Sequence, residues 1–272
     1  MRKLLLTAAF ASAIAFANAQ TMTSKEGTPI LPESGDWSIS IDAAPLGTLF
    51  RNSGSSAFTN QYLQNMTIIG KMMTSATSAF RGKVRIGFGS TSEDAFSYAS
   101  GSTSVPPATV VDTKKSSALN VTLGAGMQKY RGKGRVQGYY GAEAYIMFGS
   151  GNTDYTYGNA ISTAYQAPAR NDFGSNVSGG TFTTKNKSGS TFGVGARAFL
   201  GAEYFFAAKM SFGVEYGWGL GISSTGKGEK TTEAYNVASS GPASVTTPTG
   251  GSSNFGLDVD NASGSVFFSF YF

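Results

Sequence analysis

Arg81, Lys83 and Arg85 alternate with uncharged residues along one short stretch of the chain. Side chains of a β-strand alternate between its two faces, so all three cations share one face of a predicted strand. Three cations cannot lie unpaired in an apolar core, because burying an isolated charge costs too much free energy. The spacing therefore predicts a strand face that lies in water or lines a polar interior containing carboxylates.

The same alternation, followed through the other predicted strands, places further charges on the same inward face. The predicted inward set is Asp42, Lys71, Arg81, Lys83, Arg85, Glu143, Arg197, Glu203 and Glu215. Four acids and five bases in a narrow interior must pair, because an unpaired ion there is strongly destabilising. We predict a structural plug of ion pairs, in which Lys83 and Arg85 pair across the interior with Glu203 and Glu215. A gated pore or a proton-linked site is the alternative that this pattern leaves open.

Composition excludes much of the usual chemistry of enzymes. The chain has no histidine and no cysteine, which removes the Ser-His-Asp arrangement, the commonest metal ligand, a thiol nucleophile and any disulfide framework. Glu203 and Glu215 could in principle act as an acid–base pair, but they are predicted deep in the interior and surrounded by cations. We expect no catalytic residue, no metal, no cofactor and no enzymatic activity.

Charge and targeting point to export rather than to a nucleic-acid partner. Residues 1–19 have a basic start at Arg2 and Lys3, a short apolar run and an Ala-Asn-Ala cleavage site, which predicts a secretory signal peptide. Removing Arg2 and Lys3 from the 21 basic residues leaves 19 against 16 acidic residues, a net charge of +3. No basic patch with interleaved aromatic residues is present, so we expect no nucleic-acid partner.

Eight strands with alternating polarity are needed to position the inward charges. They are predicted at residues 37–44, 65–73, 80–88, 118–128, 136–148, 191–204, 209–222 and 265–272. Short turns at 74–78, 129–135 and 205–208 alternate with long polar loops at 47–64, 90–117, 150–188 and 223–261. The last loop meets the final strand out of phase, which predicts a bulge or break near Asp260–Gly264.

The face opposite the charges is continuously apolar, with aromatic residues near the strand ends. This polarity and the alternation of short and long connections are typical of an outer-membrane barrel. A soluble sandwich would not separate its connections so regularly, and a lipocalin-like barrel has an apolar inside and a polar outside. The predicted fold is all-β: an eight-stranded antiparallel transmembrane β-barrel with short periplasmic turns and long extracellular loops.

The predicted organisation has three parts: a signal peptide at 1–19, a periplasmic lead-in at 20–36 and a barrel at 37–272. The final predicted strand places Phe268, Phe270 and Phe272 on its outward face. A barrel needs such a closing strand, because its outer face meets lipid and its edge must pair with the first strand. We interpret the three phenylalanines as an assembly signal and expect the mature protein in the bacterial outer membrane.

Taken together, the signal peptide, the glycine-rich alternating strands and the aromatic last strand resemble the small outer-membrane β-barrel superfamily, which contains the OmpA transmembrane domain and OmpX. The segment Pro29-Ile-Leu-Pro-Glu-Ser-Gly-Asp-Trp37 is also similar to the lead-in of uncharacterised barrels from Bacteroidetes. The resemblance covers the mature chain and implies a fold, a location and two partners, the lipid bilayer and the barrel-assembly machinery. It implies no chemistry.

Tyrosines in the predicted loops lie among Ser, Thr, Asn and Gly. They are Tyr62, Tyr98, Tyr155, Tyr157, Tyr165 and Tyr235. This mixture suits an adaptable recognition surface and is equally the composition of variable loops. Three hypotheses for function remain: a structural or surface-interaction protein, a narrow transporter for small or apolar solutes, and an accessory subunit of a larger outer-membrane complex.

Overall fold

A computed structural model describes residues 22–42, 67–174, 177–178 and 180–272, with side chains described except at 177–178 and 258–264. The predicted signal peptide and the predicted loop at 47–64 lie outside the described residues. No helix in these ranges is long and apolar enough to cross a membrane.

The described residues form twelve strands rather than the eight predicted. They are β1 (Trp37–Asp42), β2 (Thr67–Ser75), β3 (Ser78–Tyr98), β4 (Thr109–Arg131), β5 (Val136–Thr156), β6 (Val177–Ser178), β7 (Thr181–Lys187), β8 (Thr191–Ala207), β9 (Met210–Thr225), β10 (Gly228–Asn236), β11 (Gly241–Thr249) and β12 (Ser252–Tyr271). The fold is therefore all-β, as expected.

Antiparallel pairing closes a ring of strands. Going round it, the neighbours are β1, β2, β3, β4, β5, β8, β9 and β12. The ring closes where β12 pairs with β1, from Ser38 opposite Tyr271 to Asp42 opposite Phe267. A closed ring leaves no sheet edge along the closed part, so the strands there satisfy each other's backbone groups.

The remaining strands correct the predicted loops. β3, β4 and β5 extend far beyond their predicted ends, and β7, β10 and β11 continue the sheet outward from β5. Much of the segments 90–117, 150–188 and 223–261 is therefore strand. These extensions are rich in Ser and Thr and have no continuous apolar face. The threonines keep strand propensity, but the alternation that identifies a half-buried strand is lost.

The predicted irregularity in the last strand is confirmed. β12 pairs with β9 in one register up to Asp260, opposite Gly217, and in a shifted register from Ser265, opposite Glu215. Such a bulge changes which face each side chain occupies. It allows Phe255 and Leu257, which precede the bulge in the chain, and Val266 and Phe270, which follow it, all to face outward.

The ring has the reverse polarity of a soluble barrel. Large apolar side chains project from its outer surface, and Val214 and Trp218 are 54% and 50% exposed. Charged side chains face inward, and Arg81 and Glu203 are 3% and 1% exposed. The faces predicted for the strands are therefore those that the structure shows.

The short-turn end of the ring, where β2–β3, β4–β5 and β8–β9 connect, is covered by residues 22–36. Ile30 is buried there in a cluster with Met73, Tyr130, Phe205 and Tyr271. Its backbone carbonyl accepts a hydrogen bond from the Lys209 amide at 3.1 Å. In the predicted lead-in at 20–36, residues 22–36 thus form a packed cap across one mouth of the ring.

Candidate functional site: a buried ion-pair network and an outer platform

The layer of the interior nearest the short turns is built around one ion pair. Lys71 Nζ lies 3.1 Å from Glu203 Oε2, and both side chains are buried. The Tyr271 hydroxyl donates to Glu203 Oε1 at 2.8 Å, and the Tyr130 hydroxyl donates to Oε2 at 3.1 Å. Ser211 adds a further hydroxyl donor to the same carboxylate. Glu203 is therefore held by one cation and three hydroxyls.

A second layer lies further from the short turns and joins two guanidinium groups to two carboxylates. Arg81 Nη2 donates to Glu215 Oε1 at 2.9 Å, and its Nη1 binds the other oxygen of the same carboxylate. Arg197 Nη1 lies 3.0 Å from Glu143 Oε1 and 2.9 Å from Glu215 Oε1. Lys83 Nζ adds a contact with Glu143 at 3.3 Å. Bidentate Arg–carboxylate pairing of this kind fixes geometry as well as charge.

Strand register explains why these side chains meet. Arg81 on β3 lies opposite Gly126 on β4, Gly126 lies opposite Glu143 on β5, and Glu143 lies opposite Arg197 on β8. A Cβ at Gly126 would fall 2.6 Å from the Glu143 Cβ. Because glycine occupies that position, Arg81 Nε reaches Glu143 Oε2 at 3.2 Å across an intervening strand.

Aromatic rings fill the space between the ions. The guanidinium carbon of Arg81 lies 4.2 Å from the centroid of the Phe199 ring, close enough for a cation–π contact. The Tyr139 hydroxyl donates to Glu215 at 3.2 Å. A cavity of about 10 Å³ remains between the two layers, which is room for roughly one water molecule. Together, ions and rings fill this part of the interior.

The predicted inward set is brought together in part. Lys71, Arg81, Lys83, Glu143, Arg197, Glu203 and Glu215 form the two layers. Asp42 ends β1, and Arg85 lies opposite Thr67 at the start of β2, both farther from the short turns. Lys83 pairs with Glu143 rather than with Glu203 or Glu215, so this part of the expected pairing is wrong. Strand tilt and stagger shift which residues meet across a barrel.

Tyr130, Tyr271 and Ser211 are site residues that sequence reasoning did not single out. Tyr271 and Ser211 lie on the inward face by strand alternation, which was the available signal, whereas Tyr130 falls in the predicted turn at 129–135. Within the described part of the chain, no group of three or more acidic side chains is placed to hold a metal ion.

Beyond the ring, a segment predicted as loop packs into a platform, defined here as residues 157–174 against β3, β4, β7 and β10. Asp112 is fully buried and accepts hydrogen bonds from the Gly158 amide at 2.8 Å and the Asn171 amide at 2.6 Å. These two bonds tie the start and the end of the segment to β4. The platform is therefore an ordered structure held by a buried acceptor.

Arg170 is the second anchor of the platform. Its guanidinium carbon lies against both the Tyr157 and the Phe182 ring, 4.5 and 4.6 Å from their centroids, and its Nη1 donates to Glu233 at 3.0 Å. Burial raises the pKa of the Tyr157 hydroxyl to about 12, and that hydroxyl donates to the Thr183 carbonyl at 2.7 Å.

The predicted loop tyrosines therefore differ in role. Tyr157 packs within the platform, and Tyr155 on β5 packs against its Phe173, whereas Tyr98 and Tyr165 are exposed. Tyr235 lies on β10, and Tyr62 lies outside the described residues.

No family model matches the chain, and no curated protein sequence matches it. Among solved structures, the chain is similar to the outer membrane protein OprG from Pseudomonas aeruginosa, at 10% sequence identity and a TM-score of 0.33. The match covers 89% of this chain and 98% of that one. A likeness of this size is weak and adds nothing to the geometry of the chain itself.

Proposed function

We propose that this chain is an outer-membrane β-barrel protein whose interior is plugged by ion pairs and whose outer platform carries its binding. The observation that supports this proposal is the reversed polarity of a closed ring. A membrane-spanning sheet must satisfy every backbone group internally, and closure into a ring does so. Its outer face must be apolar and its inside can be polar, which is how Val214 and Glu203 are placed.

In this proposal the eight ring strands cross the bilayer, with the short-turn end in the periplasm. The platform and strands β7, β10 and β11 then lie outside the cell. Residues 1–19 direct export and are removed in the process. Insertion requires the barrel-assembly machinery, with Phe268, Phe270 and Phe272 on the closing strand as its signal.

The proposed role is structural or surface-interacting and not enzymatic. Glu143, Glu203 and Glu215 each lie within 3.3 Å of at least one cationic nitrogen, so each carboxylate already compensates a buried charge. The ordered platform with exposed Tyr98 and Tyr165 is the surface best suited to a ligand or to a partner in a larger complex.

Single-cysteine labelling tests the orientation. The chain has no cysteine of its own, so Tyr165→Cys and Lys133→Cys each introduce one thiol, at exposed sites on the platform and on the β4–β5 turn respectively. A membrane-impermeant maleimide should label Tyr165→Cys in intact cells and Lys133→Cys only after the outer membrane is disrupted. Equal labelling of both in intact cells, or recovery of the protein outside the outer-membrane fraction, would contradict the proposal.

A narrow transporter is the second candidate, and a feature of the wall favours it. An inner cavity of about 130 Å³ and an outer groove of about 500 Å³ share Val194, Ile222, Ser223 and Asn254 as lining residues. The two spaces therefore meet across the barrel wall formed by β8, β9 and β12, which suits sideways passage of a small apolar solute.

Gly256 gives a variant for testing this candidate, because a Cβ there meets no atom within 4 Å. Gly256→Leu should fill part of the inner cavity without disturbing the fold. Two results together would support transport instead of the surface role. Proteoliposomes would take up small apolar solutes faster than empty liposomes, and Gly256→Leu would reduce that uptake. Equal uptake by protein-containing and empty liposomes supports the plugged barrel.

A further inference from the structure

A groove opens on the outer surface where β5 changes its neighbour. β5 pairs with β8 up to Gly149 opposite Thr191, and with β7 from Asn152 opposite Lys187. Residues 188–190 connect β7 to β8 at this branch, and the Ser188 amide donates to the Gly151 carbonyl at 2.9 Å. The groove beside this connection has a volume of about 290 Å³.

The lining of the groove changes from apolar to hydroxyl to cationic along the strands. Phe88 and Leu119 line one part and continue the apolar outer face of the ring, and Ser117 and Ser150 follow. Lys185 and Lys187 line the remaining part. This gradient runs from the apolar band toward the long-connection end of the molecule.

The two lysines leave positive charge available in the groove. Lys185 Nζ lies 3.9 Å from Asp154, a loose contact between side chains that are each about half exposed. Lys187 is exposed and has no ion-pair partner among the described residues. A basic pocket at a membrane boundary is a site suited to a lipid headgroup that carries phosphate.

We propose that this groove binds a phosphorylated lipid of the outer leaflet, with its phosphate at Lys185 and Lys187 and an acyl chain along Phe88 and Leu119. This inference rests on the proposed outer-membrane location. The apolar part favours a lipid over a free anion, because a soluble phosphate would leave Phe88 and Leu119 uncovered. Basic residues near an anionic membrane surface contribute on the order of 1 kcal/mol each, so loss of both lysines should weaken binding about thirtyfold.

Native mass spectrometry of the full mature protein in detergent, titrated with diphosphorylated lipid A, measures this binding. Lys185→Gln/Lys187→Gln should bind about thirtyfold more weakly than the unmodified protein. Ser190→Trp should also bind more weakly, because an exposed groove residue becomes bulky while the charge is unchanged. Lys129→Gln/Lys133→Gln removes the same charge at the short-turn end and should leave binding unchanged.

Three results would overturn the inference: full binding by the Lys185/Lys187 variant, equal loss in the Lys129/Lys133 control, or displacement of the lipid by millimolar inorganic phosphate. The second would indicate general charge attraction, and the third a site for free phosphate. Each variant is also checked for recovery in the outer-membrane fraction. If the unmodified protein is absent from that fraction, the proposed function is refuted. If it is present there but lipid binding does not depend on the two lysines, only the proposed lipid site is refuted.

Discussion

Replacing Lys71 with Met tests whether its ion pair with Glu203, in the layer nearest the short turns, stabilises the barrel. The change keeps an unbranched side chain one atom shorter than lysine and removes the cation 3.1 Å from Glu203. Breaking a buried pair typically costs about 3–5 kcal/mol, because the remaining charge is left uncompensated. Tyr130, Tyr271 and Ser211 still donate to the carboxylate, so we expect a loss at the lower end, about 3 kcal/mol.

Lys83→Met, in the second layer of ion pairs, is the matched control. Glu143 would keep Arg197 at 3.0 Å and Arg81 at 3.2 Å, so its charge stays compensated. The Lys83 side chain is also 21% exposed, against 6% for Lys71. We expect this substitution to cost less than about 1 kcal/mol, the range of partly solvated pairs.

Urea unfolding in lipid vesicles, followed by tryptophan fluorescence and by heat-dependent gel mobility, gives the free energies. Adding Glu203→Gln to Lys71→Met should recover part of the loss, because it neutralises the stranded carboxylate while keeping hydrogen-bonding capacity. The double-mutant cycle should show a coupling of at least about 1 kcal/mol. A Lys71→Met loss no larger than that of Lys83→Met, or no coupling with Glu203→Gln, would refute the reasoning.

Three other predictions concern the outer face, the cap and the platform. Val214→Arg should lower the unfolding free energy by about 2–4 kcal/mol if this face meets the bilayer core. Val245→Arg on β11, exposed but outside the ring, should change it by less than about 0.5 kcal/mol. Similar effects of the two substitutions would refute lipid contact by the ring. Ile30→Ala should lower the unfolding free energy in urea by about 2–5 kcal/mol because it leaves a cavity, and Ile30→Val should lower it by about 0.5–1.5 kcal/mol. An unchanged urea midpoint in both variants would show that the cap is not packed. Arg170→Ala should make the segment 157–174 sensitive to limited proteolysis, because it removes a stacked, ion-paired side chain. Lys185→Ala breaks only a 3.9 Å contact and should not have this effect. Equal cleavage of the two variants would contradict the anchoring role of Arg170.

The ring could be predicted from the sequence because its strands have two different faces. Alternation places Val214 outward and Glu215 inward, and a slip of one residue would reverse both, so the pattern fixes which side each occupies. The same logic locates the bulge between Asp260 and Ser265 from the change of phase alone.

The extensions of the ring strands and the cap could not be predicted in this way. Segments such as Thr181–Lys187 carry a single apolar residue, Phe182, among polar ones, so no period-two signal marks them as strands. Ile30 is one of two apolar residues between prolines, and its burial depends on a surface built by β2, β4 and β12, which are remote in sequence.

The charged residues were predicted as a set, but the partner predicted for Lys83 was wrong. Alternation gives the face of Lys71 and of Glu203, but their contact also depends on ring size, tilt and stagger, which no single strand contains. Tyr130 was missed because it lies in a run of basic residues interpreted as a turn.

The lipid contact of the outer face is the central claim, and the two tryptophans of the chain report on it directly. Trp37 and Trp218 are 55% and 50% exposed on that face, with Trp37 at the start of β1 and Trp218 in the middle of β9. Refolded protein in vesicles whose lipids carry brominated acyl chains should show strong quenching of tryptophan fluorescence relative to unbrominated vesicles. Persistence of that quenching in both Trp37→Phe and Trp218→Phe would show that each tryptophan touches lipid. Emission that bromination does not change would place this face in water and contradict the outer-membrane barrel.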